Sequence, residues 1–521
     1  MIFDVETAER SAFDRDFDVC IIGAGPAGIT LARRLAARRF DVALLEGGGL
    51  QWSEESQDVA VGESVGLAYP DLDVARVRCF GGSSGHWNGL CRAFEAADMR
   101  PRPQNPLSGW PIGRADLDPY QADVTEILDL VPDGGDVPPA VPVPPEDGFH
   151  QVWFLRSAPT RFGEKYLGEI RDAERIALGI HANLVDLRLD DSLTRVEGAV
   201  FRGYAPDDPG FTVRARSYCL CTGGLENPRL LLNFTSQLPA GIGNQNDLVG
   251  RYFCDHIRMS AGQAIFREVP EVETRFFTPT EEFLAEHRTL KIVLHLDSQH
   301  RKPLSLSEEL LRSAQCTLPF AERLVEAMAG IALQCDRGGL EDWLASRDQE
   351  KNPWGLLVIN SEQALNPESR ITLAEARDAF GLQRIRLNWQ ALPIDTRTIQ
   401  DTTLAFAAHL AARDVGRVRL YDSILAEQPI LATAADGQQL SGWHQMCSTR
   451  MSDDPKTGVV DRNCRVHGIA NLYIGGSSVF STPGFQNPTY TIVQLALRLG
   501  DHLAETMPAG APPLPEAGGD E

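Results

Sequence analysis

The chain has 521 residues, enough for two large domains or three small ones at about 150 residues per domain. Hydrophobic residues make up 43% and charged residues 23%, which excludes a disordered, collagenous or fibrous protein. A formal net charge of −23 repels phosphate backbones and anionic lipid, so neither nucleic acid nor a membrane surface is an expected partner.

The N-terminal stretch MIFDVETAERSAFDRDFD is acidic and shows neither a twin-arginine pair nor an apolar core of the export type. No apolar run reaches the ~18 residues that a membrane-crossing helix needs. The 10 cysteines include no C-x-x-C pair, and Cys219 and Cys221 lie in an apolar run that suits neither a zinc site nor a disulfide framework. Free buried thiols, a soluble protein and a cytoplasmic location are therefore expected, and no metal-ligating set is assigned.

Phe17, Val19, Ile21 and Ile22 read as a short buried strand. It runs into Gly23-Ala24-Gly25-Pro26-Ala27-Gly28, then a helical pattern (Ile29, Leu31, Ala32, Leu35, Ala36) and a second strand over Asp41–Leu45 that ends in Glu46. This is a βαβ unit. A Gly-rich loop follows at 81–89, GGSSGHWNG, and a stretch with six prolines at 131–148 reads as an exposed connector or lid. Strands are expected at His181–Leu189 and Tyr218–Thr222, the latter leading into Gly223-Gly224. From about 260 to 440, strand-like runs (Leu290–Leu296, Leu356–Ile359, Ile385–Trp389) mix with helical ones (Leu306–Arg312, Phe320–Leu333). A last strand, Leu472–Ile474, leads into Gly475-Gly476. After it, Asn487 and Pro488 read as N-cap and first residue of a long helix carried by Ile492, Val493, Leu495, Ala496 and Leu499. Residues after Met507 read as a frayed tail.

In the fingerprint, Gly23 permits the tight turn, Gly25 admits a pyrophosphate against the backbone, and Gly28 lets helix and strand approach. The helix N-terminus faces the phosphates. Glu46 stands near the ~20-residue separation expected of the acid that holds a ribose hydroxyl. A dinucleotide is expected. The 81–89 loop, and a sheet assembled from both ends of the chain, point to FAD.

At this point the sequence resembles the glucose-methanol-choline (GMC) flavin oxidoreductases, most closely their pyranose-oxidase-like branch. The carrying motifs are IIGAGPAGITLARRL with Glu46, GGSSGHWNG, CTGGLENPRLLL, HQMCSTRM and NPTYTIVQLALRLGDHL, in that order. Gly475-Gly476-Ser477 departs from the D-x-S of the wider family after the last strand. The resemblance implies an α/β fold, with a Rossmann-type FAD-binding domain and a second, α+β substrate-binding domain. The first would take 1–260 and 441–507, the second 261–440, leaving 508–521 as a flexible tail. It implies catalytic roles for His444, which opens the H-x₆-M segment, and for Asn487 at the start of the final helix. Gly82, Ser83 and Asn88 would approach the flavin ring or its ribityl chain, and Val185 would touch adenine through its main chain. Trp87, Gly476, Pro488 and Thr489 join the cofactor set. His86 stands where related oxidases bond a histidine to the flavin 8α-methyl. His256, beside Asp255, reads as a structural histidine, with an active-site neighbour as the alternative.

The chemistry follows from residue type. Oxidising an alcohol at a flavin removes a hydroxyl proton and a hydride, and a neutral imidazole near its ordinary pKa of ~6.5 is a suitable proton acceptor. A carboxamide can hydrogen-bond the substrate oxygen but cannot share the base role. His444 is thus the expected base and Asn487 its partner. The expected reaction converts an alcohol, by the resemblance a secondary hydroxyl of a sugar or glycoside, to a ketone. The same shell also serves lyases, a decarboxylase and non-catalytic carriers, which stand as alternatives. The expected partners are a small alcohol, sugar or glycoside and an electron acceptor that is oxygen, a quinone or a protein, with a homo-oligomer possible by the same resemblance.

Overall fold

The computed structural model describes residues 1–7, 9–132, 148–266, 274–298 and 354–507. The expected helical runs Leu306–Arg312 and Phe320–Leu333, most of the Pro-rich stretch and the tail after Met507 lie outside these residues.

The first expected strand forms over Asp16–Ile22, and Val19, Cys20 and Ile21 are completely buried because helices and sheet neighbours cover it on every side. It pairs in parallel with Val42–Leu45 on one side and Phe211–Leu220 on the other. Ile176–Ile180 and Ile2–Asp4 extend the parallel part beyond Val42–Leu45. Leu472–Ile474 returns from the far end of the chain to pair in parallel with Phe211–Leu220. Val196–Arg202 and Asn183–Leu189 continue this 8-stranded sheet as an antiparallel meander. The strand expected from His181 begins two residues later, because His181 takes a left-handed φ of 58°.

Both ends of the chain also meet in the helix layer. The Pro26–Ala37 helix packs on the final helix, Thr489–Thr506, where Arg34 donates to Asp501 at 2.9 and 2.7 Å. Gly500 lies so close to the partner helix that a Cβ there would sit 2.8 Å from Arg34 Cγ.

A second, 6-stranded antiparallel sheet runs in the order Gly416–Leu420, Ile257–Phe266, Trp354–Ser361, Ile292–Ser298, Thr274–Pro279, Phe149–Val152. The Pro393–Ala412 helix buries Ile399, Phe406 and Leu410 in the core of this part. Two segments expected in the first domain pair elsewhere: Phe149–Val152 closes one edge of the second sheet, and Gly62–Gly66 pairs in parallel with Gln383–Trp389. The second segment, GESVG, exposes three of its five residues and has one apolar side chain, Val65, so no apolar pattern announces it as a strand.

Polar contacts tie the two parts together. Arg102, on a loop of the first part, donates to the fully buried Glu362 just past the Trp354–Ser361 strand, at 2.6 Å through Nη1. Lys291 Nζ reaches Asp98 at 2.7 Å, and Gln486 Nε2 donates to the same carboxylate at 2.7 Å.

Candidate active site

A cavity of about 800 Å³ opens along the seam between the two sheets. Its floor is the fingerprint turn. Gly23 holds φ at 98°, and a Cβ there would stand 2.7 Å from the Cys221 carbonyl oxygen. At Gly28 a Cβ would fall 1.9 Å from the Gly23 oxygen, so this glycine serves packing and does not line the cavity. Gly25 is different: a Cβ there would meet no protein atom within 4 Å. The space in front of it belongs to the cavity.

The helix beginning at Pro26 has no side-chain cap, and its first intrahelical bond is Ile29 N to Gly25 O at 3.0 Å. The N–H groups of Ala27 and Gly28 therefore lack intrahelical acceptors. Glu46, almost fully buried, accepts from Ala24 N at 2.8 Å and Gly48 N at 2.9 Å, one bond on each oxygen. A carboxylate oxygen has two acceptor sites, so each retains one for a hydroxyl on the cavity side. Unfilled space at Gly25, free N–H donors and a carboxylate with spare acceptors fit a dinucleotide.

The 81–89 loop is laced onto this turn. Gly81 N donates to Ala24 O at 2.8 Å, Val77 N to Ser83 Oγ at 3.1 Å, and Arg161 Nη1 to the Ser84 and Trp87 carbonyls at 2.7 and 3.0 Å. Trp87 Nε1 donates to Thr160 O at 2.9 Å, and Asn88 Oδ1 accepts from Leu90 N at 3.2 Å. Gly82, Ser83, His86, Trp87 and Asn88 all line the cavity. The His86 ring stands edge-on to Trp443 at 5.8 Å and makes no side-chain hydrogen bond among the described residues. Burial, with Arg161 adding to it, lowers its pKa, so the ring is neutral at neutral pH.

Opposite this loop, Asp255 organises the histidine segment. It is completely buried. Its Oδ1 accepts from His256 N at 2.7 Å and His444 N at 2.8 Å, its Oδ2 from Ser441 Oγ at 2.6 Å and Tyr69 at 2.8 Å. Burial raises the Asp255 pKa against these bonds. With both backbones held by one carboxylate, the two rings meet edge to face, and His444 Nδ1 lies 2.9 Å from His256 Nδ1. Burial, then His256 and Arg258, push the His444 pKa well below the ordinary histidine value. His256 is pushed down to about 4, chiefly by burial.

His444, Gly476, Asn487, Pro488 and Thr489 line the same cavity as the fingerprint turn. Asn487 does not cap the final helix as expected. Pro488 already has helical angles (φ −72°, ψ −22°) and its carbonyl accepts the first helical bond, from Ile492 N at 2.9 Å. The helix therefore starts one residue later, with Pro488 in the cap position. Released from capping, Asn487 donates through Nδ2 to the Leu90 carbonyl at 3.0 Å. Its oxygen and second N–H make no hydrogen bond among the described residues. The expected contact residue Val185 does not line the cavity. It sits at a register shift between Leu184 and Asp186, and Ala182, Asn183 and Leu184 form the wall there.

Sequence reasoning missed several wall residues. Arg78 lies beside Gly47, donating to Tyr204 at 2.6 Å and to Asn183 at 2.5 Å, and Arg258, His295 and Asn360 come from the second sheet. None belongs to a spaced motif; Arg78 comes from a loop, and the other three arrive through strand register. One His/Asp/Glu group, Asp4, Glu6 and His181, brings ligand atoms within 4.8 Å of one another, but none of the three lines the cavity.

Residues 366–496 match the GMC oxidoreductase family, and residues 21–55 match the NAD(P)-binding Rossmann-like domain. The chain thus carries a GMC oxidoreductase C-terminal region together with a Rossmann-like nucleotide-binding segment. Its similarity to a 2-methyl-1,2-propanediol dehydrogenase of Mycolicibacterium austroafricanum is 24% identity over 94% of this chain and 95% of that one. To a 6'''-hydroxyparomomycin C oxidase of Streptomyces lividus it is 23%, over 95% and 93%. Among solved structures, the pyridoxine 4-oxidase "from Mesorbium loti" superposes with a TM-score of 0.56 at 16% identity, covering 93% of this chain and 99% of the other. That likeness speaks for the shared fold. No helix among the described residues is long and apolar enough to cross a membrane.

Proposed function

We propose that this protein is a GMC oxidoreductase that binds FAD in the seam cavity and oxidises a CH–OH group of a small molecule, a secondary hydroxyl of a sugar or glycoside, to a ketone. The observation that carries the reading is His444. It is an imidazole kept neutral by burial, pinned at its backbone by Asp255, on the wall of the cavity whose floor is the Gly23–Gly28 turn. The named activities of both relatives above concern hydroxyl-bearing compounds, which supports the substrate class.

The turn at Gly23 and Gly25 and the N–H groups of the following helix would hold the pyrophosphate, and Glu46 a ribose hydroxyl. The 82–88 loop would lie against the flavin ring, with the uncapped N-terminus of the final helix at its pyrimidine end. Bound there, FAD supplies the hydride acceptor. His444 takes the hydroxyl proton on its cavity-side nitrogen, so that hydride leaves from a carbon bearing alkoxide character. Asn487, with an N–H not used on Leu90, steadies the developing oxygen charge. His86, neutral and without a side-chain hydrogen bond among the described residues, is the residue we assign to covalent attachment of the flavin. Acid-denatured protein should keep its yellow colour in the pellet, and full release to the supernatant would exclude the bond. The compartment we propose is the reducing cytoplasm, on the eight described cysteines, all unpaired and seven of them buried.

The test is anaerobic mixing of the holoprotein with alcohols, sugars and glycosides while flavin absorbance is followed. Bleaching by a sugar or glycoside is the expected result. Absence of bleaching by any hydroxyl compound would favour a carrier or a lyase on the same fold and overturn the proposal.

A further inference from the structure

Two imidazoles that share one hydrogen bond through their Nδ1 atoms cannot both donate, so the tautomer of one dictates that of the other. The deciding group here is Asn360. Its Nδ2 donates to the Phe485 carbonyl at 3.1 Å, and since a carbonyl only accepts, this bond fixes which end of the amide carries nitrogen. The other hydrogen of that Nδ2 lies towards His256 Nδ1, at 3.2 Å. A donor aimed at Nδ1 makes that nitrogen an acceptor and leaves the proton of a neutral His256 on Nε2. The Pro483 and Gly484 backbones lie against the same ring and favour a proton on it, although Nε2 is buried and completes no hydrogen bond.

The consequence reaches the cavity. If His256 Nδ1 accepts, His444 Nδ1 must be the donor of the 2.9 Å bond, and a neutral His444 is then bare at Nε2. The opposite arrangement sets the Asn360 N–H against a His256 Nδ1–H and leaves His444 protonated at Nε2, where it could not take a proton. We propose that His256 is a positioning residue which, held by Asn360, selects the tautomer of His444 that presents a lone pair at Nε2 to the substrate hydroxyl. This rests on the reading of His444 as the base. No bond is made or broken at His256. It receives a hydrogen bond before the reaction, and the same bond, now from an imidazolium, after the substrate proton has arrived at His444 Nε2. The charged neighbours agree with this assignment. Arg258 and His256 disfavour a resident positive charge on His444, and the Asp255 carboxylate is already occupied by two backbone N–H groups and two hydroxyls.

The experiment has two arms. In ¹⁵N-histidine spectra of the wild-type holoprotein near neutral pH, with signals assigned by their loss in single variants, His444 should show an unprotonated Nε2 and His256 an unprotonated Nδ1. A protonated Nε2 on His444 would overturn the proposal whatever the kinetics. In stopped-flow flavin reduction, His256→Leu, which removes the acceptor, should slow the reaction roughly 100-fold at saturating substrate, with KM within about threefold. His256→Asn, which can place an oxygen near the Nδ1 position, should recover roughly 10-fold of that loss. Wild-type speed in His256→Leu alongside an inactive His444→Ala would overturn the positioning role and leave the base assignment intact. Equal loss in the Leu and Asn variants would overturn it too, by showing that an acceptor is not what His256 supplies. Wild-type speed in both His256→Leu and His444→Ala would bring down the base assignment itself. Should His256→Leu fail to fold, the wild-type spectra alone decide.

Discussion

In the proposed reaction His444 is the base, and its surroundings set the pH at which it would work. Burial and the adjacent His256 and Arg258 disfavour the imidazolium, so its pKa lies below the free value of ~6.5. A base must be unprotonated to act, and a lowered pKa postpones protonation to lower pH. The acid limb of kcat/KM, measured between pH 4 and 8, should therefore fall below ~6.5. A limb above that value would mean that another group limits the reaction. Replacing His444 by Ala should cut flavin reduction by roughly 10²–10⁴-fold in stopped-flow traces while the protein retains FAD. Asn487→Ala removes the bond to the Leu90 carbonyl, not a helix cap. Its cost in thermal or urea unfolding should be about 1 kcal/mol, and it should slow flavin reduction as well.

At the scale of elements, the fingerprint turn separates two kinds of glycine. A Cβ at Gly28 would collide with the Gly23 carbonyl oxygen, so Gly28→Ala should destabilise the protein by roughly 1–3 kcal/mol with or without cofactor. A Cβ at Gly25 meets nothing in the chain. Gly25→Ala should therefore cost the apoprotein under about 1 kcal/mol, mostly as a poorer helix cap, and lower FAD content sharply. Calorimetry of both apoproteins, with flavin absorbance of the purified holoproteins, distinguishes the two. An FAD content unchanged in Gly25→Ala would place the pyrophosphate elsewhere. The final helix teaches a related lesson. An Asn-Pro pair reads as cap and first residue, but a proline with helical angles and an accepting carbonyl occupies the cap itself, and the asparagine is then drawn to a neighbouring loop.

Across the whole molecule the site depends on two sheets keeping their relative position, because the base segment bridges to the second sheet at Ile257 and the wall residue Asn360 lies on one of its strands, away from the fingerprint. The Arg102–Glu362 pair is one of the locks. Glu362 is wholly buried and the Arg102 side chain nearly so, so removing one partner strands a charge. Glu362→Gln should lower stability by roughly 3–5 kcal/mol in denaturant melts, far more than the loss of a surface ion pair.

Much of the first sheet was legible from local pattern. The βαβ unit at Asp16–Leu45, the strand at Leu472–Ile474 and the long final helix have apolar periods or punctuation that survive without tertiary context. The glycines, Glu46 and the 86–88 loop residues lie within continuous motifs, so they could be named as a cofactor set from spacing and resemblance. Gly62–Gly66 and Phe149–Val152 could not be placed with their partners, because short or polar strands take their pairing from distant segments. The same limit applied to Asn360, Arg258 and Asp255. A hydrogen-bonding side chain carries no mark of what it will face until strand register brings its partner within about 3 Å. Residue identity and spacing were enough to name the family resemblance, the nucleotide turn and the imidazole we propose as base. Which nitrogen of that imidazole carries the proton, in the arrangement we propose, depends on contacts between residues far apart in the chain, since proton placement follows the direction of hydrogen bonds and direction exists only in the folded molecule.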